Sequence, residues 1–312
     1  MINYSIVIPH YNIPSLLERC IDSIPLRDDV EIIVVDDNSS PDKVDFTSFP
    51  GINRDNCRVI LDKKGGGGGY ARNIALNYIR GKWVIFADAD DFFTPCFADV
   101  LDEYINDDGD VIFCNACSLD AEYYVNSSRA AYLNKYINIY KHNPSKGELC
   151  LRYRFTEPWC KIVKVNLLKR FSIRFDETPV ANDVRFSYLV GYYAEKVSVD
   201  AHAIYCVTMR KNSVSEFDYR VIEKIETRIN VHARKSLFFQ QHNIPILEER
   251  HFWHVLVLFF KTRNIKNVVR GIRILKQLGY SNNNVIVGLF KGFFTKMWDK
   301  VRHRYIILSA KT

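Results

Sequence analysis

The sequence has no hydrophobic run long enough to cross a membrane, since no stretch of about eighteen apolar residues occurs in it. Residues 9 to 15, directly after the first apolar run, contain no glycine, whereas a dinucleotide-binding fingerprint needs spaced glycines there. The glycines at 65–69 are not followed by the Lys-Ser or Lys-Thr pair of a P-loop. These absences argue against a membrane-spanning chain, a dinucleotide-dependent oxidoreductase and a P-loop protein.

Cysteine pairs with zinc-binding spacing are also missing. Among eight cysteines only Cys114 and Cys117 form a Cys-x-x-Cys pair, and no second pair accompanies it, so we predict structural thiols and no metal there. Scattered cysteines without a small-domain framework fit reduced thiols, and we expect a cytoplasmic protein. Residues 1–8 lack a basic segment followed by a long apolar core, so we expect a strand rather than a secretory signal.

The composition, with 47% hydrophobic and 25% charged residues in 312, is typical of a soluble globular chain that can hold two domains. The formal net charge of +7 favours anionic partners, such as phosphorylated molecules, anionic lipid or nucleic acid. The basic excess lies from Lys141 onward, while the first hundred residues are rich in Asp. Because no zinc-finger spacing or RNA-binding aromatic pattern accompanies the charge, we expect no nucleic acid partner.

Short apolar runs alternate with helix-like segments in the first part of the chain. The runs are Tyr4–Ile8, Glu31–Val35, Cys57–Leu61 and Trp83–Phe86. Continuous apolar strands that alternate with helices predict an α/β fold with a mostly parallel central sheet covered on both faces. Polar residues at 9–12, 36–39 and 88–91 follow three of these strands, at the edge where such sheets bind ligands. We expect the three polar segments to share one crevice.

Three carboxylates in four residues, Asp88, Asp90 and Asp91, follow the run Trp83–Phe86. Carboxylates packed at a strand end repel one another unless a cation, water or protons intervene. Oxygen-only ligands favour Mg²⁺ or Mn²⁺. The alternative is an acidic turn that caps the next helix, because Asp is a common cap residue. The motif alone leaves both interpretations open.

The middle of the chain is less regular. We predict further strands at Val111–Cys114, Val197–Val199 and Ile204–Met209, and a basic helix near Asn166–Arg170 after the run Ile162–Val165. Asn182 and Asp183 open a predicted helix. The polar, Tyr-rich stretch Leu119–Ser145 is expected to be a variable surface region rather than a packed element.

From Tyr219 the pattern is helical and contains no strand-like alternation. The predicted helices are Tyr219–Gln240, Glu248–Thr262, Ile265–Leu278 and Asn284–Arg302. The last combines an aromatic-rich face with several Lys and Arg residues. Two interpretations stay open for it: packing on its own domain, or lying in a membrane interface.

Taken together, the motifs resemble the family-2 glycosyltransferases with the A-type (GT-A) fold. The resemblance covers about residues 4 to 215 and depends on the joint order of motifs that are each short. The motifs are Ile6-Val-Ile-Pro-His-Tyr-Asn12, Glu31-Ile-Ile-Val-Val-Asp-Asp-Asn-Ser39, Ala71-Arg-Asn73, Phe86-Ala-Asp-Ala-Asp-Asp91, Pro158-Trp-Cys-Lys161, Asn182-Asp183 and Arg210-Lys-Asn-Ser213. It implies a nucleotide-diphospho-sugar transferase domain over 1–215, with residues 216–312 as a helical C-terminal region.

On the donor side, the resemblance implies that Pro9 and Tyr11 form the wall against which a nucleotide base packs. Asp37 would accept a hydrogen bond from the base, and Arg72 would face the donor, where a guanidinium can bind phosphate. Asp36, beside Asp37, is a further contact to test. The five-glycine run departs from the shorter glycine turn usual at this place, and we expect a mobile loop there.

At the acidic cluster the resemblance gives Asp90 as the direct metal ligand, with Asp88 on the ribose or on metal-bound water. Asp91 is the weaker third candidate of the cluster. The ion, Mg²⁺ or Mn²⁺, would neutralise the leaving nucleotide diphosphate.

On the acceptor side, Asp183 matches the base that takes a hydroxyl proton in an inverting transfer. Many relatives have Glu-Asp where this chain has Asn182-Asp183. Four further residues match the acceptor wall and a closing segment over the diphosphate: Trp159, Lys161, Arg210 and Ser213.

The sequence therefore predicts an inverting, metal-dependent glycosyltransferase that uses a nucleotide-diphosphate-sugar, with a lean towards a UDP-sugar. The expected acceptor is a glycan or a lipid-linked glycan at the inner face of the cell membrane, which the C-terminal basic helix would contact. The alternative is a non-catalytic protein that binds nucleotide-sugar, membrane or nucleic acid.

Overall fold

The computed structural model describes residues 1–120, 122, 125–209, 222–246 and 249–294. Contacts within the chain form two compact units, one that spans Met1–Thr178 and resumes at Asn182, and one that contains the helices from Ile222 onward. The predicted boundary at residue 215 lies outside the described residues and stays a prediction.

The first unit is built on an eight-stranded sheet. The strands, in chain order, are β1 (Tyr4–His10), β2 (Val30–Asp37), β3 (Cys57–Asp62), β4 (Trp83–Phe86), β5 (Phe92–Phe93), β6 (Val111–Asp120), β7 (Lys161–Lys164) and β8 (Val197–Met209). Their order across the sheet is β3-β2-β1-β4-β7-β6-β8-β5. The β1–β2, β1–β4, β2–β3 and β6–β8 pairs are parallel, while β7 and β5 pair antiparallel with their neighbours.

The predicted α/β fold with a mostly parallel sheet is confirmed. All residues of β2 and β4 are buried, because helices cover both faces of the sheet and leave no side chain for solvent. The helices of this unit are α1 (Pro14–Asp22), α2 (Gly68–Ala75), α3 (Phe97–Tyr104), α4 (Ala131–His142), α5 (Pro144–Tyr153), α6 (Val165–Arg170) and α7 (Asp183–Tyr193).

Two predictions for the middle of the chain are wrong in detail. The stretch Leu119–Ser145 was expected to lack packed elements, but it contains α4, whose Leu133 and Ile137 are buried. Only these two apolar positions face inward, and the polar residues around them hide the helical period. The two short strands predicted after Val197 are one strand, β8, which includes the polar residues 200–202.

The second unit is helical, and over the described residues its helices fall where the pattern predicts them; residues 219–221, 248 and 295–302 of the predicted helices lie outside the described residues. The described helices are α8 (Ile222–Gln241), α9 (Arg250–Thr262), α10 (Ile265–Gln277) and a helical stretch at 282–294. Their common core includes Ile225, Ile229, Val255, Leu258 and Leu275. Among the described residues, no helix is long and apolar enough to cross a membrane.

Candidate functional site

The loops that follow β1 and β2 are joined by a buried His–Asp pair. His10 Nδ1 lies 2.7 Å from Asp36 Oδ1, and Asp36 also accepts hydrogen bonds from the backbone N–H and the hydroxyl of Ser39. His10 Nε2 accepts from the Ile13 N–H at 3.0 Å, so Nδ1 carries the proton and donates to Asp36. Burial opposes ionisation of Asp36, but the hydrogen bonds from His10 and Ser39 hold its pKa below the ordinary value. Asp36 is therefore a structural link between the loops.

Asp37, the next residue, is 8% exposed and keeps one oxygen available. Its Oδ2 accepts from the Gly67 N–H at 2.7 Å. Its Oδ1 is buried and has no hydrogen-bond partner among the described residues. Burial, only partly offset by the glycine N–H groups, raises the pKa of Asp37. A buried acceptor without a partner is costly, and a ligand N–H would remove that cost.

The glycine run lies against this loop, and the mobility expected of the run stays a prediction. Gly65 and Gly67 have φ values of 70° and 86°, which side chains rarely adopt, and α2 begins inside the run. A Cβ at Gly69 would lie 2.2 Å from the Asp176 carbonyl oxygen. The glycines thus let α2 start close to Asp37 and to the segment that precedes α7.

Pro9 and Tyr11 lie at the end of β1 and in the loop that follows. Pro9 is half-buried, and Tyr11 is 58% exposed, so its ring offers a free face beside the Asp37 loop. The loop of Tyr11 is joined to the loop of Asp37 by the Asn12 N–H, which donates to the Ser39 hydroxyl at 2.8 Å. An exposed aromatic ring on the first loop and a carboxylate oxygen unpaired among the described residues on the second suit a flat, polar-edged group such as a nucleotide base.

The acidic loop after β4 is held by its backbone. The Asp90 carbonyl accepts from Arg19 Nη2 and from the Thr208 hydroxyl, both at 2.5 Å. The Asp88 N–H donates to the Tyr205 hydroxyl at 2.8 Å. These anchors come from α1 and β8, and sequence reasoning missed them because their partners lie 70 or more residues away.

Arg72 joins the acidic loop to the start of α7. Its Nη2 lies 2.5 Å from Asp88 Oδ1, and its Nη1 donates to Asn182 Oδ1 at 3.2 Å. Arg72 Nε is buried and has no partner among the described residues. The guanidinium also lies over the Phe175 ring, 5.3 Å from its centroid. Asn182 therefore accepts from Arg72 without adding a second negative charge to that of Asp88.

The three carboxylates of the acidic loop have different surroundings. Asp91 is buried, and its Oδ1 accepts from the Thr208 N–H at 2.7 Å, which turns it towards β8. Burial and the charges of Asp88 and Asp90 raise the pKa of Asp91 well above the ordinary value. Burial also raises the pKa of Asp88. The positive charge of Arg72 counteracts this rise, and the negative charge of Asp90 adds to it. Asp88 and Asp90 are both partly exposed. Their like negative charges repel each other, and a divalent cation bound between them would remove that repulsion.

Asp183 lies at the first position of α7, and an aromatic cluster fixes it relative to the acidic loop. Phe86 at the end of β4 contacts Phe175 and Phe186, with ring centroids 5.0 and 5.2 Å away. Asn73 of α2 fixes Phe175 through two backbone hydrogen bonds, at 3.0 and 2.9 Å. Burial and the nearby charge of Glu157 raise the pKa of Asp183 to about 6. A carboxylate with such a pKa can hold or release a proton near neutral pH.

The residues predicted for the acceptor side lie deeper than expected. Trp159 is 2% exposed, and its ring packs on Phe155 and stacks on Tyr205. Here Trp159 supports Tyr205, the acceptor of the Asp88 N–H, and a contact with an acceptor sugar stays a prediction. Lys161 is fully buried, and its ammonium donates to the carbonyls of Phe155 and Glu157, which fixes the loop that carries Glu157. Arg210 and Ser213 lie outside the described residues.

A second group of metal-binding side chain types lies elsewhere in the part of the chain that the structure describes. Glu103, Asp200 and His202 bring one ligand atom each within 4.8 Å of one another. Asp200 is eight residues before Thr208 on β8, roughly 25 Å away at about 3.3 Å per residue. This group is therefore separate from the acidic loop, and two of its three side chains are exposed.

Comparison with known families gives one match. Residues 5–171 match the family described as Glycosyl transferase family 2. This range includes β1 to β7 and every candidate donor residue described above, and it ends before α7.

Relatives of known sequence carry glycosyltransferase names. The chain is 27% identical over 227 residues to the uncharacterized glycosyltransferase EpsJ of Bacillus subtilis, which covers 69% of this chain and 64% of EpsJ. It is 23% identical over 257 residues to glycosyltransferase GlyA of Streptococcus pneumoniae, covering 76% of this chain and 36% of GlyA. The chain thus spans less than two thirds of the length of these two relatives.

Solved structures share the fold at low sequence identity. The crystal structure of Staphylococcus aureus TarS 1-349 in complex with UDP-GlcNAc has a TM-score of 0.56 and 19% identity, with 90% of this chain and 93% of that chain covered. The mannosyltransferase PcManGT of Pyrobaculum calidifontis, in complex with GDP-Man and Mn²⁺, has a TM-score of 0.55 and 15% identity, covering 96% and 82%. At these identities the likeness shows the GT-A-like fold alone.

Proposed function

The chain belongs to glycosyl transferase family 2, and we propose that it is an inverting glycosyltransferase that moves a sugar from a nucleotide diphosphate to a hydroxyl of a glycan or lipid-linked glycan. The observation that carries the proposal is the fork of Arg72, which joins Asp88 of the acidic loop to Asn182, the neighbour of Asp183. A diphosphate-binding region and a candidate base thereby lie side by side, as a direct displacement requires.

On the donor side we propose a UDP-sugar. Asp37 Oδ1, buried and without a partner among the described residues, would accept the imide N–H of uracil, and the exposed ring of Tyr11 would stack on the base. The TarS relative was solved with UDP-GlcNAc, which agrees with this donor class. Pro9 would complete the wall behind the base.

We further propose that Asp90, with Asp88, holds a divalent cation. Bound there, Mg²⁺ or Mn²⁺ would supply positive charge for the leaving diphosphate. Arg72 contributes a second, permanent positive charge on the same side, and its buried Nε is a donor that a phosphate oxygen can satisfy.

On the acceptor side, Asp183 would take the proton of the attacking hydroxyl. With a pKa of about 6 the carboxylate is ionised at pH 7.5, yet basic enough to accept a proton in the transition state. A single displacement would invert the anomeric centre, with the sugar between the base on one face and the leaving diphosphate on the other.

A donor screen tests the proposal. Purified protein is mixed with a panel of UDP- and GDP-sugars, with Mg²⁺, Mn²⁺ or a chelator, and release of nucleoside diphosphate is measured with a lipid-linked glycan as acceptor. We expect metal-dependent release from a UDP-sugar, and Asp183→Asn should lower the rate about 100- to 10,000-fold while UDP still binds. Metal-dependent UDP binding without release from any donor would indicate a non-catalytic binder instead.

Contact with a membrane surface is a proposal that the second unit supports. The helix at 282–294 packs one face inward, where Val285 is buried and a Cβ at Gly288 would lie 2.3 Å from the Phe252 ring. Its other face exposes Ile286, Phe290, Phe293 and Phe294, next to Lys291. The helix therefore packs on its own unit, and the aromatic face that it leaves exposed supports the proposal of an interfacial contact.

Vesicle co-sedimentation tests this surface. We expect binding to vesicles that contain anionic lipid, and loss of binding in the Phe290→Ser/Phe294→Ser double variant. The matched control is Leu26→Ser, which removes an exposed apolar side chain from the first unit. Equal binding by the double variant and the control would contradict the proposal.

A further inference from the structure

Two cysteines of the first unit face each other across neighbouring strands. Cys117 of β6 and Cys206 of β8 are paired in register in the parallel β6–β8 ladder. Side chains of a registered pair project to the same face of the sheet, so the two thiols lie side by side, and the Cys117 thiol donates to the Tyr205 carbonyl at 3.6 Å. Cys206 is buried, whereas Cys117 is partly exposed. The Cys-x-x-Cys motif of the sequence thus has a partner for Cys117 that its own spacing does not reveal.

A second pair of neighbouring cysteines provides a contrast. Cys114 of β6 lies beside Cys160, which directly precedes β7, and the Cys114 N–H donates to the Cys160 carbonyl at 3.1 Å. Both residues are buried, and burial raises the pKa of each thiol well above its ordinary value. The neighbouring Cys206 thiol instead lowers the pKa of the partly exposed Cys117 to about 7. Because the thiolate is the reactive form, we expect Cys117 to react where Cys114 and Cys160 do not.

The geometry of the pair permits a disulfide. Neighbouring strands lie about 4.8 Å apart, and the Cα atoms of disulfides are usually about 4.4 to 6.8 Å apart. We propose that Cys117 and Cys206 form an oxidative modification site, where a peroxide converts the two thiols to an intramolecular disulfide that alters the acidic loop.

Hydrogen peroxide is the only oxidant that this reaction needs. The Cys117 thiolate attacks one peroxide oxygen, the O–O bond breaks, and a sulfenic acid forms with release of one water. Cys206 then attacks the sulfenic sulfur, the S–S bond forms, and the hydroxyl leaves as a second water. Two thiols and one hydrogen peroxide give one disulfide and two waters. The two electrons that reduce the peroxide come from the sulfur atoms.

The link to the acidic loop follows from the neighbours of Cys206 on β8. Tyr205 accepts the Asp88 N–H, and Thr208 donates to Asp91 and to the Asp90 carbonyl. The Cα atoms of a disulfide are most often about 5.5 to 6 Å apart, wider than the spacing of about 4.8 Å between neighbouring strands, so bond formation would shift β8 relative to β6. Tyr205 and Thr208 move with it. Because small displacements of positioning groups are costly in catalysis, we expect the transfer rate to fall about tenfold; this part rests on the proposed function.

Peptide mapping tests the site without reference to activity. Full-length protein is treated with hydrogen peroxide, and disulfide-linked peptides are identified by mass spectrometry. We expect a link between the peptides that contain Cys117 and Cys206, loss of two of the eight free thiols, and full reversal by dithiothreitol. Cys117→Ser and Cys206→Ala should each abolish the link, while the matched Cys114→Ser variant should keep it. A link between other cysteines, or none in wild type, would overturn the site.

The coupling to function has its own readout. Oxidised and reduced wild type are compared for transfer, with oxidised Cys117→Ser as the control for other damage by peroxide. An equal transfer rate in oxidised and reduced wild type, with the link present, would overturn the coupling. Absence of transfer in the reduced protein would instead contradict the proposed function, while the mapping result still decides the disulfide.

Discussion

Replacing Asp37 by Asn should exchange the nucleotide base that the site prefers. In the native chain Oδ2 accepts from the Gly67 N–H at 2.7 Å, while Oδ1 is buried and open to a ligand. An Asn side chain must keep its oxygen towards Gly67, because that N–H needs an acceptor. Its NH₂ group then takes the place of Oδ1 and faces the imide N–H of uracil, donor against donor.

The size of the effect follows from the bond that is lost. A hydrogen bond to a charged group contributes about 1.5 to 3 kcal/mol, which corresponds to a roughly 10- to 150-fold weaker affinity for UDP. Cytosine has an acceptor nitrogen at the same ring position, so CDP should gain relative to UDP and bind the Asp37→Asn variant more tightly than UDP does.

Isothermal titration with UDP and CDP measures both effects. The matched control is Asp62→Asn, which removes the same charge from the residue in register with Asp37 on β3 and should leave UDP affinity within about threefold. Equal affinity of Asp37→Asn and wild type for UDP would refute the assignment of Asp37 to the base. A similar loss in both variants would mean that net charge, rather than the open oxygen, attracts the nucleotide.

Three further predictions concern α2 and the candidate base. The value of kcat/KM should fall as the pH drops below about 6, because Asp183 can act as a base only when it is ionised. Glu157→Gln removes a neighbouring negative charge and should move this fall in activity to lower pH. An acidic side of the pH profile that does not move in this variant would contradict the assignment. Arg72→Lys should lower the transfer rate about 10- to 100-fold at unchanged thermal stability, since one ammonium cannot bridge Asp88 and Asn182; a native rate would show that the fork is dispensable. Gly69→Ala should lower the free energy of unfolding by about 1 to 3 kcal/mol in denaturant titration, because the added Cβ would clash with the Asp176 carbonyl oxygen. The control is Gly67→Ala, whose Cβ would have no atom within 4 Å, so that this variant measures only the cost of the backbone conformation.

The strands and most helices could be predicted because each leaves a local signal. Trp83–Phe86 is a continuous apolar run, and the structure places β4 over the same residues. The sequence pattern failed to predict elements in which few side chains are buried or in which polar residues interrupt the apolar ones. In α4 only Leu133 and Ile137 are buried, and in β8 the polar residues 200–202 break one strand into two apparent ones.

The candidate site was predicted only in part, for a similar reason. Asp88, Arg72 and Asp183 stand in recognisable motifs, and the structure brings Arg72 onto Asp88 and onto Asn182, next to Asp183. Tyr205 and Thr208 carry no motif, since a tyrosine in an apolar strand is usually a core residue. Their role depends on the pairing of β8 with β5 and on partners more than a hundred positions away in the chain.

The acidic loop is held in place by backbone groups, so its course does not depend on the side chain at position 90. The carbonyl of Asp90 and the N–H of Asp88 fix the loop to α1 and β8, and every residue type except proline presents the same carbonyl and N–H. The side chain at position 90 can therefore change while the loop keeps its course. A descendant of this chain could alter or lose the proposed cation site through one codon, without first acquiring a compensating change elsewhere in the fold.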